Sequence, residues 1–114
     1  MKIRSSRRVA GAAAIAAVAL AVPAQSLAAR PPLGLYQCYL SGQYSDGFKL
    51  VTKKKYKAVS GGKGRYAVHG KQVKFKSGPF HAFWGRTRRD ANGGGWIIDL
   101  TLKEDPHVQE SCAH

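Results

Sequence analysis

The chain predicts a small all-β domain: an antiparallel meander of about seven short strands, curved into an open sheet or a small barrel and closed by one disulfide. Three features predict it. Short runs rich in Tyr, Phe, Val and Ile are separated by Gly-rich breaks. Thirteen Gly are spread along 114 residues, and no segment after residue 28 repeats with a helical period. Within the runs, apolar and polar residues alternate, as they do when one face of a sheet is buried.

The first 28 residues stand apart. Lys2, Arg4, Arg7 and Arg8 precede a 14-residue Ala-rich apolar run, Val9 to Val22, followed by Pro23 and the small-x-small signal Ser26-Leu27-Ala28. This is the pattern of a secretory signal peptide, residues 1–28. The run falls short of the roughly 20 residues needed to cross a bilayer, so no transmembrane segment is expected in the mature chain. Removing 28 of the 114 residues leaves 29–114, enough for a single domain. Four of the 19 Lys and Arg leave with the leader, so 15 cations face six acids and the basic excess belongs to the folded part.

The strands follow in order. Leu35 to Leu40 is the first run; Ser45-Asp46-Gly47 reads as a turn, and Phe48 to Thr52 is the second. Lys55 to Val59 is the third, and the loop Ser60 to Gly64 leads to Arg65 to Val68. His69-Gly70 reads as a two-residue reversal, because Gly supplies the positive φ that tight hairpins need. Lys71 to Lys76 then returns, pairing Arg65 with Lys74, while the five-residue loop places Lys57 opposite Ala67. Ser77-Gly78-Pro79 breaks the chain before Phe80 to Arg86, and "DANGGG" separates that run from Trp96 to Leu102.

Alternation assigns the faces. Phe48, Leu50, Tyr56, Ala58, Tyr66, Val68, Val73, Phe75, Trp96, Ile98, Leu100 and Leu102 form the expected core. The opposite face then gathers Lys55, Lys57, Arg65, Lys74 and Lys76, with Lys53, Lys54, Lys63 and Lys71 extending the field. From Lys53 to Lys76 there are nine Lys or Arg and no acid. Such a platform suits an anionic polymer or surface: nucleic acid, acidic polysaccharide, cell-wall polymer or anionic lipid headgroups. The plainer alternative is a solvated face that maintains solubility and discourages sheet edges from associating.

Cys38 and Cys112, an even pair in a secreted chain, read as a disulfide. The tail "HVQESCAH" adds His107 and His114, which with the two cysteines make four potential zinc ligands; the spacing matches no familiar zinc module, and no metal or cofactor is expected. Catalysis is not expected either. A small secreted ribonuclease would need a base, an acid and a cation near the phosphate, and only His81, Glu104 and Arg86 offer them, with no spacing that demands the role. A further alternative is a protein-interaction or inhibitor-like module using the aromatic residues between Phe80 and Trp84. In that segment His81 and Phe83 alternate with Phe80 and Trp84, and Arg86, Arg88 and Arg89 follow in an expected loop.

At "GLYQCYL", "GRYAVHGKQVKFKSGPF" and "GWIIDLTL" the chain resembles a group of small secreted bacterial β-sheet proteins of uncharacterised function. They share an N-terminal Tyr-x-Cys, a central Gly-x-Tyr hairpin ending in Phe-x-x-Gly-Pro, and a final Cys. The resemblance implies structural roles for these positions (turns, core aromatics, a disulfide) and carries no catalytic residues. The Lys-rich stretch departs from the pattern. The chain is therefore expected to be a secreted, monomeric, non-enzymatic module that binds an anionic partner.

Overall fold

Eight strands, one more than the sequence predicts, form a closed antiparallel barrel in the computed structural model, which describes residues 30–114. The expected signal peptide, 1–28, lies outside the described residues. The strands are β1 (Gly34–Leu40), β2 (Gln43–Leu50), β3 (Lys55–Ala58), β4 (Lys63–His69), β5 (Gln72–Phe75), β6 (Phe83–Arg89), β7 (Trp96–Leu102) and β8 (Gln109–Ala113). Each pairs with its neighbour in sequence, and β8 closes on β1. The added strand is the tail, which has no apolar alternation of its own. It is recruited because β1 and β7 both pair with it, at Cys38↔Cys112 and Ile98↔Cys112. The disulfide joins Cys38 to Cys112 across that seam, 74 residues apart in sequence. Among the described residues no helix is long and apolar enough to cross a membrane.

Several local expectations are corrected. Ser45-Asp46-Gly47 lies within β2, and the chain reverses instead at Ser41-Gly42, both with positive φ. Asp46 anchors the β3–β4 loop rather than a turn of its own. Its carboxylate accepts hydrogen bonds from Ser60 N (3.3 Å) and Ser60 Oγ (2.9 Å). Phe80 precedes β6 and turns into the barrel, and β6 continues through Arg88 and Arg89, which the sequence places in a loop.

Two hairpin registers also differ. The β4–β5 reversal is Gly70-Lys71, between the paired residues His69 and Gln72. Val68 therefore faces Val73, and Tyr66 faces Phe75. In the register expected from His69-Gly70, Val68 would face Lys71 on the buried side, so apolar cross-strand pairing overrides the turn preference. In the β3–β4 hairpin, Ala58 N donates to Gly62 O at 2.9 Å, a tighter reversal than a five-residue loop. Lys57 consequently faces Lys63, not Ala67, and Tyr56 faces Gly64. Both shifts are even-numbered, so no side chain changes face.

The interior is filled with rings. An eight-stranded barrel has room for packed side chains, and here Phe48 sits centrally, with ring centroids 5.4 Å from Tyr36, 5.4 Å from Phe75 and 5.1 Å from Phe80. Leu50, Val73, Ile98 and Leu100 complete the core. The three buried tyrosines satisfy their hydroxyls by bonding loops at the barrel ends. Tyr36 donates to Pro32 O (2.8 Å), Tyr56 to Ser77 O (2.7 Å) and Tyr66 to Thr52 O (2.6 Å).

Candidate anion-binding face

With the apolar alternate residues committed to the core, the intervening ones project outward, and register decides which become neighbours. Lys49 faces Lys57, and Lys57 faces Lys63, so three cations lie side by side across β2, β3 and β4. One step along the strands, Lys55 faces Arg65. Lys76 lies beyond Arg65, its N–H donating to Arg65 O at 2.7 Å. The result is two adjacent rows of three cations. Lys74, paired with Ala67, stands at the corner, diagonal to Arg65. The patch spans four strands, about 14 Å at ordinary strand spacing. All seven side chains are exposed.

Thus Lys55, Lys57, Arg65, Lys74 and Lys76 share one outer surface of the barrel. The pairings within it are Arg65 with Lys55 and Lys76, and Lys57 with Lys49 and Lys63. Lys49 is absent from the set drawn from the sequence, although its position between the inward residues Phe48 and Leu50 signals it. Arg30 is absent too, and no local pattern marks it; only the path of the chain brings it near. Of the residues expected to extend the field, Lys63 is in a row and Lys53 and Lys54 adjoin it. Lys71 does not: it sits in the β4–β5 turn, in a groove with Arg86, Arg88 and Arg89.

Two grooves cut this surface and share Arg65. One, of about 410 Å³, is lined by Lys55, Lys57, Lys63 and Arg65 with Val51, Tyr56 and Gly64. The other, of about 340 Å³, gathers Arg30, Lys53, Lys54, Arg65 and Lys76 around Tyr66, Ala67 and Val68. No carboxylate lines either groove. Among the described residues Arg88 pairs with Asp99 and His107 Nδ1 lies 3.3 Å from Asp105 Oδ1, and neither contact involves a cation between Lys49 and Lys76. Three of the six acids are engaged elsewhere: Asp46 with Ser60, Glu110 with Ser45, and Asp99 with Arg88 and Ser111.

The aromatic residues interleaved with these cations in sequence point inward: Tyr56, Tyr66 and Phe75 are buried. Burial pushes the hydroxyl pKa values of Tyr36, Tyr56 and Tyr66 upward, since the neutral phenol is favoured away from water. The cationic face therefore offers charge without stacking rings. Of the Phe80 to Trp84 cluster, Phe80 is inside the barrel and Phe83 is partly buried against the core, leaving Trp84 presented to solvent.

The groups considered for catalysis and metal binding are separated or engaged. Arg86 faces Gln72 and Asp99 in mid-strand, whereas His81 and Glu104 lie in connections before β6 and after β7. Among the described residues no hydrogen bond joins the three. Cys38 and Cys112 are oxidised to each other, and His114 Nε2 lies 3.1 Å from Leu33 O.

Comparison with protein-family models, curated proteins and solved structures finds no match to this chain. The residues of the Tyr-x-Cys, Gly-x-Tyr, Gly-Pro and Cys motifs have structural places in the barrel. Gly64 and Gly78 make room for Tyr56, Phe75 packs against it, and Cys38 and Cys112 close the seam.

Proposed function

We propose that the chain is a secreted, monomeric, non-enzymatic module whose β2–β5 face holds an anionic polymer. Lys55, Lys57, Arg65, Lys74 and Lys76 make the contacts, with Lys49 and Lys63 completing the rows. One observation carries the reading: two adjacent rows of like charge, unrelieved by any acid, on a barrel that has no free edge. Like charges directly opposite each other weaken strand pairing. Lysines that guard a sheet against edge-to-edge association would explain them on an open sheet, but a closed barrel presents no such edge. A polyanion would turn the repulsion into binding energy as its counterions are released.

The absence of rings from this face favours a ligand recognised through phosphate, sulfate or carboxylate groups rather than through stacked bases. Export is supported by the leader-like pattern at residues 1–28 and by the disulfide, which suits an oxidising compartment.

Chromatography on immobilised heparin with a salt gradient tests the reading. Lys57→Glu/Arg65→Glu/Lys76→Glu should lose retention. Lys71→Glu/Arg86→Glu/Arg89→Glu, which changes net charge equally on other parts of the surface, should elute near the unmodified protein. Equal losses would assign retention to overall charge and reject the face. Incubation with RNA should leave it uncut; cleavage that falls on His81→Ala would favour a ribonuclease instead.

A further inference from the structure

Beyond Lys74 the outer surface changes character. Lys74 faces Trp84, and Trp84 faces Thr101. The neighbouring row runs Gln72, Arg86, Asp99 and Ser111. Trp84, Thr101 and that row line a groove of about 830 Å³ over β5 to β8 that also includes Gln109 and Glu110. Here, unlike in the grooves around Arg65, a carboxylate stands among the cations: Asp99 lies in the row with Arg86 and pairs with Arg88.

From these features we infer that the Trp84 groove is a second binding site, for a neutral oligosaccharide of a few rings, separate from the anion-binding face. Trp84 is 45% exposed on a strand whose alternate positions are packed into the core. Among the described residues the one partner over its ring is Lys103 Nζ, 4.5 Å from the centroid. A cation–π contact at an exposed site contributes about 0.5–1 kcal/mol, little for leaving so large an apolar ring in water. A flat ring on a rigid strand suits the C–H face of a pyranose.

The groups around it suit sugar hydroxyls, each of which donates and accepts. Carboxylates and hydroxyls accept, while guanidinium and amide groups donate. The charged acceptor is held in place before any ligand arrives. Asp99 accepts from Arg88 Nε (2.6 Å) and Ser111 Oγ (2.9 Å). Among the described residues Gln72 and Arg86 make no side-chain hydrogen bond, so both are available. The Asp99 carboxylate disfavours a polyanion here, in contrast to the acid-free grooves around Arg65. A concave site with an aromatic platform and a few fixed polar groups is the usual form of a small-ligand site.

Isothermal titration calorimetry with tetrasaccharides of glucose, mannose, xylose and N-acetylglucosamine, and with oligothymidylate, tests the inference. At least one neutral tetrasaccharide should bind with an affinity insensitive to salt. Trp84→Ala should weaken that binding by about tenfold or more. Trp96→Phe and the Lys57→Glu/Arg65→Glu/Lys76→Glu variant should leave it intact, which separates this site from the anion-binding face. The inference is overturned if no neutral tetrasaccharide binds, if Trp84→Ala binds equally well, or if only oligothymidylate binds through Trp84, which would make the ring a base-stacking platform.

Discussion

Tyr56 shows how single residues carry this fold. Its hydroxyl donates to Ser77 O and accepts from Phe80 N (3.0 Å), tying the β5–β6 connection to the inside of the barrel. Gly64 and Gly78 permit that approach. A Cβ on Gly64 would meet Tyr56 Cε1 at 2.8 Å, and one on Gly78 would meet Tyr56 Oη at 2.6 Å, where the backbone also has φ +87°. Either Gly→Ala change should destabilise the domain by about 1–3 kcal/mol, measured by thermal or urea unfolding. Alkali should act through the same hydroxyls. The tyrosines hold their protons above the ordinary phenol range in the barrel, so they favour the folded state fully below about pH 10 and lose that contribution as pH rises through their higher folded values. Stability measured against pH should therefore fall above that point, less steeply in Tyr36→Phe. These residues are legible in the sequence as core aromatics and turn glycines. Their mutual contact is not, because it depends on two segments 21 residues apart meeting at one hydroxyl.

At the scale of the element, the outer face is legible in the sequence and the register is not. Alternation alone sends Lys55, Lys57, Arg65, Lys74 and Lys76 outward, and an even-numbered slip leaves that assignment unchanged. Which cations oppose each other depends on turn geometry, and the preference for Gly at a reversal fits both His69-Gly70 and Gly70-Lys71. The pairing of Val68 with Val73 and of Tyr66 with Phe75 decides between them. The observed rows make a prediction that distinguishes a binding face from a merely solvated one. Lys57→Glu places a carboxylate between Lys49 and Lys63, converting two repulsive pairs into attractive ones. It should raise stability by about 0.5–1 kcal/mol, a few degrees in Tm for a domain of this size, while weakening retention on heparin. Stability and binding moving in opposite directions is the signature of charges kept for a partner.

For the whole molecule, the decisive event is closure. A seven-stranded meander and an eight-stranded barrel differ by the tail, whose sequence has no strand-like alternation and is drawn into the sheet by Cys112 and by its two neighbours. The cysteine pair hints that the ends meet, and the barrel follows from that meeting rather than from any local signal. Cys38→Ala/Cys112→Ala should lower stability by about 2–5 kcal/mol, a loss that reductant reproduces in the unmodified protein. Closure also bears on function, since it removes the edges that outward lysines would otherwise protect and so removes edge protection as the reason for the two rows. The most direct test is the dissociation constant for a heparin oligosaccharide of fixed length, measured across a series of salt concentrations. The logarithm of affinity should fall linearly with the logarithm of salt, and each neutralised contact contributes about 0.7–0.9 to the slope. Lys57→Glu/Arg65→Glu/Lys76→Glu should therefore flatten the slope by about two or more. Equal slopes and equal affinities for the two proteins would contradict the assignment of this face.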